Sequence, residues 1–564
     1  MVNRPLVLLF VVILASVPMY GRDGVPAHDG PAAHPVPLDL GSLPHGHKNG
    51  LTKHDLDALS VSDAAYLDLL NPIAQSNQRR VLVALNSAES SSPVEPSVVM
   101  TLRRLRAGVL SAIYGSSIIW NGSSFSGDDF PDAEPTVFSY ADRSGLTYGR
   151  FAWMKWNNVD VPANALNDTH HITVTGFTAG INGVGEYSLG VLPHYHSRQA
   201  DPTFVGNPSD PTNLYLLGTD YDIDSVYPNN GGLNIGANAI VVWKDFTTLP
   251  AIIASLDGSS DYFLDKPAGA ISAYPSTFGQ VYCAFMAISL VNPPGPSTLY
   301  VYKQVGASWT LWSSLSFPTN MAPQSPALVV DKASGDVLLF HVDWANDVIY
   351  AWRIPATTAQ PLGPWPLSLT GVASFYTPSN GTICDSAGGN CIFQRSTLLA
   401  KQNPIDGSVA IVFHARVTNP GFGRMPDTYT SRIYFARWNP SFNSWETPFK
   451  AITPPGQENY DHWNAALDAD NSGNYLVTFY ARTNTQDLKY QVAAESVTSL
   501  GNVIVGSVLY HPQVTDAGLF RQNNSNLRFM GEYQGVSYTG DRWTAVTIYA
   551  PTNRGDAHWI NIYP

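Results

Sequence analysis

From about residue 130 the chain repeats one plan: a short apolar run, a tight turn, a strongly apolar run, a loop, and a Tyr/Trp-rich third run. One copy reads Ala327-Leu328-Val329-Val330-Asp331, the Ser334-Gly335 turn, Val337-Leu338-Leu339-Phe340-His341, then Val348-Ile349-Tyr350-Ala351-Trp352. The next keeps the order with Leu398 to Lys401, Asp406-Gly407, Ala410 to His414 and Ile433 to Trp438. Another follows with Ala465 to Asp468, Ser472-Gly473, Leu476 to Tyr480 and Leu488 to Val492. Runs this short, bounded by Gly, Pro, Asn and Asp, are strands, and a fixed spacing between them marks a repeat. The second runs centre near Phe151, Leu217, Ala284, Leu339, Val412, Thr478 and Val546, spaced by roughly 55 to 75 residues. They make six clear units and a seventh at the start.

A unit of three or four strands cannot bury both of its faces alone, so such units stack around an axis. The expected fold is all-β: a six- or seven-bladed β-propeller over residues 130–564. Two tandem β-sandwiches are the competing arrangement, but sandwiches do not predict the repeated turn placement. The last unit ends on its third run, Asp556 to Tyr563, so an N-terminal strand over Arg80 to Leu85 is expected to complete it and close the ring. Composition agrees. Aromatics make up 12% and charged residues only 13%, the balance of many short strands joined by turns. The net charge of -13, with no basic run to offset it, argues against a nucleic-acid partner.

Upstream, a charged start and an apolar run from Leu6 to Val17 read as a signal peptide over 1–21, too short to span a bilayer. The mature protein is expected outside the cytoplasm, extracellular or periplasmic, with no later membrane span. Residues 22–55 form a Pro/His-rich flexible arm, and 56–129 a small, partly helical region. Cys384 and Cys391 bracket a short loop that a disulfide could close in an oxidising compartment, with Cys283 left over in a strand. No Cys/His spacing resembles a zinc site and no cofactor is expected. Asp220-Tyr221-Asp222-Ile223-Asp224 could offer oxygens to a structural calcium, though it lacks the Gly and Glu of an EF-hand loop.

The repeat, together with Gly531-Glu532-Tyr533-Gln534-Gly535-Val536 leading into Trp543, resembles the sialidase-like superfamily of propellers across roughly residues 130–564. Two of that superfamily's marks are missing. Its Arg-Ile-Pro near the first blade has a counterpart only at Arg353-Ile354-Pro355, mid-chain, and its Asp-box turns are absent. A seventh blade would shift the likeness towards seven-bladed polysaccharide lyases and glycosidases of similar build.

In a propeller the first run of each blade lines the channel, and its entry opens, with the exit of the second run, on the face where ligands sit. The entries supply Arg198 and Asp201, Gln324, Gln394 and Arg395, Asp461 and His462, and Glu532 and Tyr533. The exits supply Asp220 and Asp222, His341 and Asp343, His414 and Arg416, Arg482, and Arg554. Such a ring of polar side chains against apolar strands suits glycan chemistry. The resemblance implies a tyrosine nucleophile, Tyr533, with arginines such as Arg395, Arg416 and Arg482 holding a substrate carboxylate. Glu532 is adjacent to Tyr533 and so points to the other face, which makes Asp461 from another blade the expected activating partner. A lyase would instead need a base and a cation, roles open to His414, His462 or Tyr533 with Arg416. Trp463 is a candidate for stacking on sugar rings. The expected function is a secreted sialidase-like glycoside hydrolase acting on acidic glycans. A uronate lyase and a non-catalytic propeller binding glycans or proteins are the alternatives.

Overall fold

The computed structural model describes residues 132–562 apart from several loops. The signal, arm and helical expectations, and the closing strand over 80–85, lie outside the described residues.

Each sequence unit folds as one antiparallel sheet. The first holds β1 (Asp132–Ala141), β2 (Thr147–Trp156), β3 (His170–Gly180) and β4 (Gly183–Val191). The second holds β5 (Arg198–Asn207), β6 (Asp210–Val226), β7 (Leu233–Trp243) and β8 (Ala251–Leu256), and the third β9 (Tyr262–Ile271), β10 (Val281–Ser289), β11 (Ser297–Val305) and β12 (Ser308–Phe317). The fourth holds β13 (Pro323–Val330), β14 (Val337–Asp343), β15 (Val348–Ile354) and β16 (Leu362–Ser368). Then come β17 (Ala373–Ser374), and β18 (Thr382–Cys384) with β19 (Cys391–Phe393) in a small separate sheet. The fifth blade holds β20 (Leu398–Gln402), β21 (Val409–Val417), β22 (Ser431–Asn439) and β23 (Ser444–Ile452), with β17 extending it beside β21. The sixth holds β24 (Tyr460–Ala469), β25 (Tyr475–Thr483), β26 (Lys489–Val497), β27 (Leu509–Tyr510) and β28 (Thr515–Asp516); β29 (Arg528–Phe529) joins β19. The seventh shows three strands, β30 (Gly535–Tyr538), β31 (Trp543–Tyr549) and β32 (Asp556–Ile562).

The first strands form the inner ring. β1 packs beside β5, β5 beside β9, β9 beside β13, β13 beside β20, β20 beside β24, and β24 beside β30, which returns to β1. The chain is a β-propeller, and its seam closes without a covalent link: the Ser139 amide donates to Ser537 Oγ at 3.1 Å, across β1 and β30. The apolar cores lie between blades. Phe340, Phe413 and Trp438 fill one, and Phe435, Ile452, Tyr475 and Val477 another. Burying one such side chain stabilises the fold by roughly 1.5–3 kcal/mol, which is why each second run is apolar on both faces. Among the described residues no helix is long and apolar enough to cross a membrane.

Four inner strands carry one device that the apolar pattern conceals. The β1, β5, β9 and β13 ladders each shift register at Glu134-Pro135, Asp201-Pro202, Lys266-Pro267 and Ser325-Pro326. A bulge leaves one residue unpaired, and proline, lacking an N–H, belongs there rather than in a continuous ladder. The residue before each proline is left-handed, with φ of 52°, 56°, 54° and 49°. Asn464 repeats the geometry in β24 with φ of 51°, followed by Ala465. Such conformations cost non-glycine residues on the order of 1 kcal/mol each and gather where a side chain must be aimed.

Candidate active site

The bulges turn polar side chains from different blades onto one spot. The Lys266 ammonium lies 2.6 Å from Asp201 Oδ1, 2.7 Å from Glu532 Oε2 and 3.5 Å from Glu134 Oε1. Arg395 Nε meets the other oxygen of Glu532 at 3.2 Å. The Asp201 amide donates to Glu134 Oε2 at 3.3 Å. Glycine is required beside it: Gly531 has φ of 87°, and a Cβ there would lie 2.3 Å from the Glu134 nitrogen. Only a bare backbone lets the seventh blade's entry pass that close and deliver Glu532.

The cluster is buried except at one point. Glu532 is 2% exposed, whereas Arg395 is 33% exposed. Charge is unequal, with Glu134, Asp201, Asp265 and Glu532 facing Lys266 and Arg395, and this imbalance splits the carboxyls. Burial, reinforced by Asp201, Glu532 and Asp265 and only partly offset by Lys266, raises Glu134 to about 8. Burial and then Asp201 raise Asp265 to about 7. Glu532 is buried as well, but Lys266 and Arg395 together outweigh desolvation and hold it below the usual carboxylate range. Burial works to lower Lys266, yet its ring of carboxylates raises it well above an ordinary lysine. At neutral pH one glutamic acid therefore stands beside one glutamate.

Of the residues expected from sequence, Glu532, Arg395 and Asp201 are brought together here. Tyr533 lies over the same cluster, its ring 5.5 Å from the Lys266 nitrogen, and its hydroxyl donates to the Pro202 carbonyl at 3.3 Å. Burial and then Glu134, Asp201, Glu532 and Asp265 raise its phenol well above the ordinary value. The carboxylates nearest Tyr533 are thus those of blades one, two, three and seven. Asp461 is engaged elsewhere: it binds Arg482 at 3.1 Å, with neither side chain exposed, and accepts from the Ser431 amide at 3.1 Å. The cause is register, since Asp461 and Arg482 are direct partners across β24 and β25.

His462 packs edge-on against Phe479, and burial followed by Arg432 lowers its pKa well below that of free histidine. Trp463 is fully buried against Tyr480 and Tyr490 rather than laid open as a platform. Arg198 donates to Ser197 Oγ at 3.0 Å and Arg416 to Ser374 Oγ at 3.4 Å. His414 is buried beside Tyr376, ring centroids 5.9 Å apart. In the proposed calcium loop, Asp220 accepts from the Tyr195 and His196 amides and Asp222 from Ser197. Cys384 and Cys391 are direct partners across β18 and β19, but their side chains lie outside the described residues; Cys283 is buried and free.

Glu134, Lys266 and Asp265 were not anticipated from sequence. The signal that marks two of them is present: a polar residue, Pro, then Thr or Ala, at the same place in four inner strands.

No family model matches the chain, and no curated protein matches it in sequence. Solved structures of similar shape include a protein of unknown function from Dyadobacter fermentans, at 9% identity over 78% of this chain and 97% of that one, TM-score 0.40. Trypanosoma rangeli sialidase is 11% identical over 77% of this chain, TM-score 0.36, and the match spans only 55% of that enzyme. Penicillium chrysogenum α-L-arabinanase, solved with arabinobiose, is 13% identical over 65% of this chain and 95% of its own, TM-score 0.36. Likenesses of this size say nothing about chemistry.

Proposed function

We infer that the protein is a secreted glycoside hydrolase acting on an acidic glycan at the channel mouth. The observation that carries this reading is the carboxyl pair driven in opposite directions, Glu134 up to about 8 and Glu532 down, around one ammonium. Glycosidic bonds are broken by such a pair, one protonated and one ionised. Glu134 gives its proton to the leaving oxygen as the carbon–oxygen bond breaks, and the Glu532 carboxylate bonds to the anomeric carbon. Water then displaces Glu532, losing its proton to Glu134.

Both oxygens touch Lys266, at 3.5 and 2.7 Å, so they cannot reach the roughly 6.5 Å at which inverting pairs begin. Retention of configuration is the expected outcome. Arg395, the exposed member, faces incoming substrate, and its guanidinium suits a sugar carboxylate. The apolar run near the N-terminus supports export.

The test is to incubate the full protein with sialosides and uronate polysaccharides while following reducing ends and unsaturated products. New reducing ends without unsaturation are expected. Unsaturated products would identify a lyase, and binding without turnover a recognition module. Turnover requires Glu134 protonated and Glu532 ionised, so it should fall as pH rises through about 8 and again below the usual carboxylate range.

A further inference from the structure

Two of the residues that meet at the axis, Arg395 and Glu532, are delivered by neighbouring strands of the small separate sheet, whose order is β18, β19, β29. β19 pairs in parallel with β29, setting Ile392 against Arg528 and Phe393 against Phe529. Two residues past Phe393 comes Arg395, and three past Phe529 comes Glu532. There the two segments stay tied: Arg395 Nε lies 3.2 Å from Glu532 Oε1, and the Thr397 hydroxyl donates to the Glu532 carbonyl at 2.8 Å. Downstream of Arg395 the chain is fixed to the blades, since the Ser396 amide donates to the Tyr376 carbonyl at 3.0 Å and the Ser396 carbonyl accepts from Trp344 Nε1 at 3.0 Å. Upstream, its hold is the small sheet, together with Ile392 buried in the core.

That sheet is weak by construction. β18 and β19 have three residues each and β29 two, and one of its two pairings is parallel. A lone hairpin is marginal in water, and parallel pairing is slightly weaker per residue than antiparallel. The sequence supplies a covalent remedy at the hairpin's closed end, where Cys384 and Cys391 are direct partners across β18 and β19. Directly opposed residues of an antiparallel pair have Cα atoms about 4.5 or 5.5 Å apart, and a disulfide spans about 4.4–6.8 Å. The third cysteine, Cys283, is shut into the core of blades two and three with its thiol pushed well up by burial, so it does not compete.

We propose that Cys384 and Cys391 form a disulfide that staples the β18–β19 hairpin and, through β19 and β29, holds Arg395 against Glu532, so that the axial cluster is sensitive to reductant. A low-molecular-weight disulfide, oxidised glutathione, serves as oxidant: the two cysteine thiols become one sulfur–sulfur bond, two electrons pass to the glutathione disulfide, its bond breaks, and its two sulfurs take up the two protons. The inference concerns where Arg395 and Glu532 sit and does not need the hydrolase reading. Glu532 is buried, and Lys266 and then Arg395 favour its ionised form; with Arg395 loosened, its carboxyl titrates at higher pH.

The test starts with the full protein equilibrated with oxidised glutathione, unfolded in denaturant with N-ethylmaleimide present, and mapped by mass spectrometry. Label on Cys283 alone, with Cys384 and Cys391 joined in one disulfide, is expected; label on Cys384 and Cys391 overturns the proposal. The folded protein is then compared with and without a phosphine reductant. Reduction should speed amide exchange across 392–396 and 528–532 at least about tenfold while leaving β21 unchanged. In protein carrying carbon-13 at glutamate Cδ, the Glu532 resonance, assigned by its loss in Glu532→Gln, should titrate at higher pH once the bridge is reduced, a shift that a staple acting on stability alone does not produce. Cys384→Ser should reproduce both changes without reductant. A bridge whose reduction moves neither readout does not reach the cluster, and the positioning claim falls. It falls equally if β21 exchanges as fast as the two segments, because the bridge then holds the whole fold. A protein that passes these tests yet cleaves no glycan loses the hydrolase reading and keeps the staple.

Discussion

Two regions of the propeller bury charge, and they do so in opposite ways. At the axis, Glu134, Asp201, Asp265 and Glu532 surround Lys266 and Arg395, an acid surplus drawn from five blades. At the seam of blades five and six, Asp461 and Arg482 form a buried ion pair within a single hairpin. A balanced pair is a structural solution, because each ion satisfies the other and nothing remains to react. A surplus leaves carboxyls whose protons are set by position, which is what acid–base chemistry needs.

The largest expected effect separates the two. Glu532→Gln keeps shape and leaves Lys266 with Asp201 and Glu134, so the fold should hold while turnover falls at least about 10⁴-fold, as when a nucleophile is removed. Tyr533→Phe is the matched control: it deletes only a hydroxyl bonded to a backbone carbonyl and should leave turnover nearly unchanged. If Glu532→Gln retained activity, the axial cluster would be reduced to the status of the seam pair.

Asp461→Asn should do the reverse. Arg482 would lose its carboxylate in a fully buried site, costing about 3–5 kcal/mol, visible as a lower denaturant midpoint. Turnover per folded molecule should stay within a few-fold of wild type. A large activity loss without loss of stability would assign Asp461 to the chemistry after all.

The contrast also explains what the sequence could disclose. The blade repeat was legible because strand periodicity and turn residues are local, and each unit's three marks survive in order. Glu532, Arg395 and Asp201 were legible as polar entries to inner strands. Glu134 and Lys266 occupy in their own blades the bulge position that Asp201 holds in the second, and what marks them is the recurring polar residue–Pro step, a signal that strand periodicity does not carry. Their meeting joins positions 134, 201, 266 and 532, and no local pattern reports such a contact. The Asp461–Arg482 pair was not legible either: counting back from the Ser472-Gly473 turn sets Asp461 against Thr483, and only the bulge at Asn464 shifts the register by one and brings Arg482 opposite it.

The smallest effect tests whether an unbalanced charge must be functional. Glu495 faces the seam of blades five and six from β26, flanked on its own side by Ala493 and Val497, which belong to the apolar core there. It is 0% exposed, and neither carboxyl oxygen has a partner. Burial alone raises its pKa to about 8. The native state therefore holds a proton that the unfolded chain releases at ordinary glutamate pH, so folding takes up a proton between those two values. Stability from this group is fully present below the unfolded pKa and is lost as pH rises towards about 8. Glu495→Gln mimics the protonated form at every pH. It should match wild type near pH 4, exceed it by a margin that widens as pH rises towards about 8, and flatten the alkaline limb of the melting-temperature profile. Turnover should be unaffected throughout, since surplus charge without a second carboxyl and a cation has no partner with which to split its protons. A variant equally stable to wild type at pH 8 would mean that Glu495 finds water or a partner there, and that burial does not set its proton.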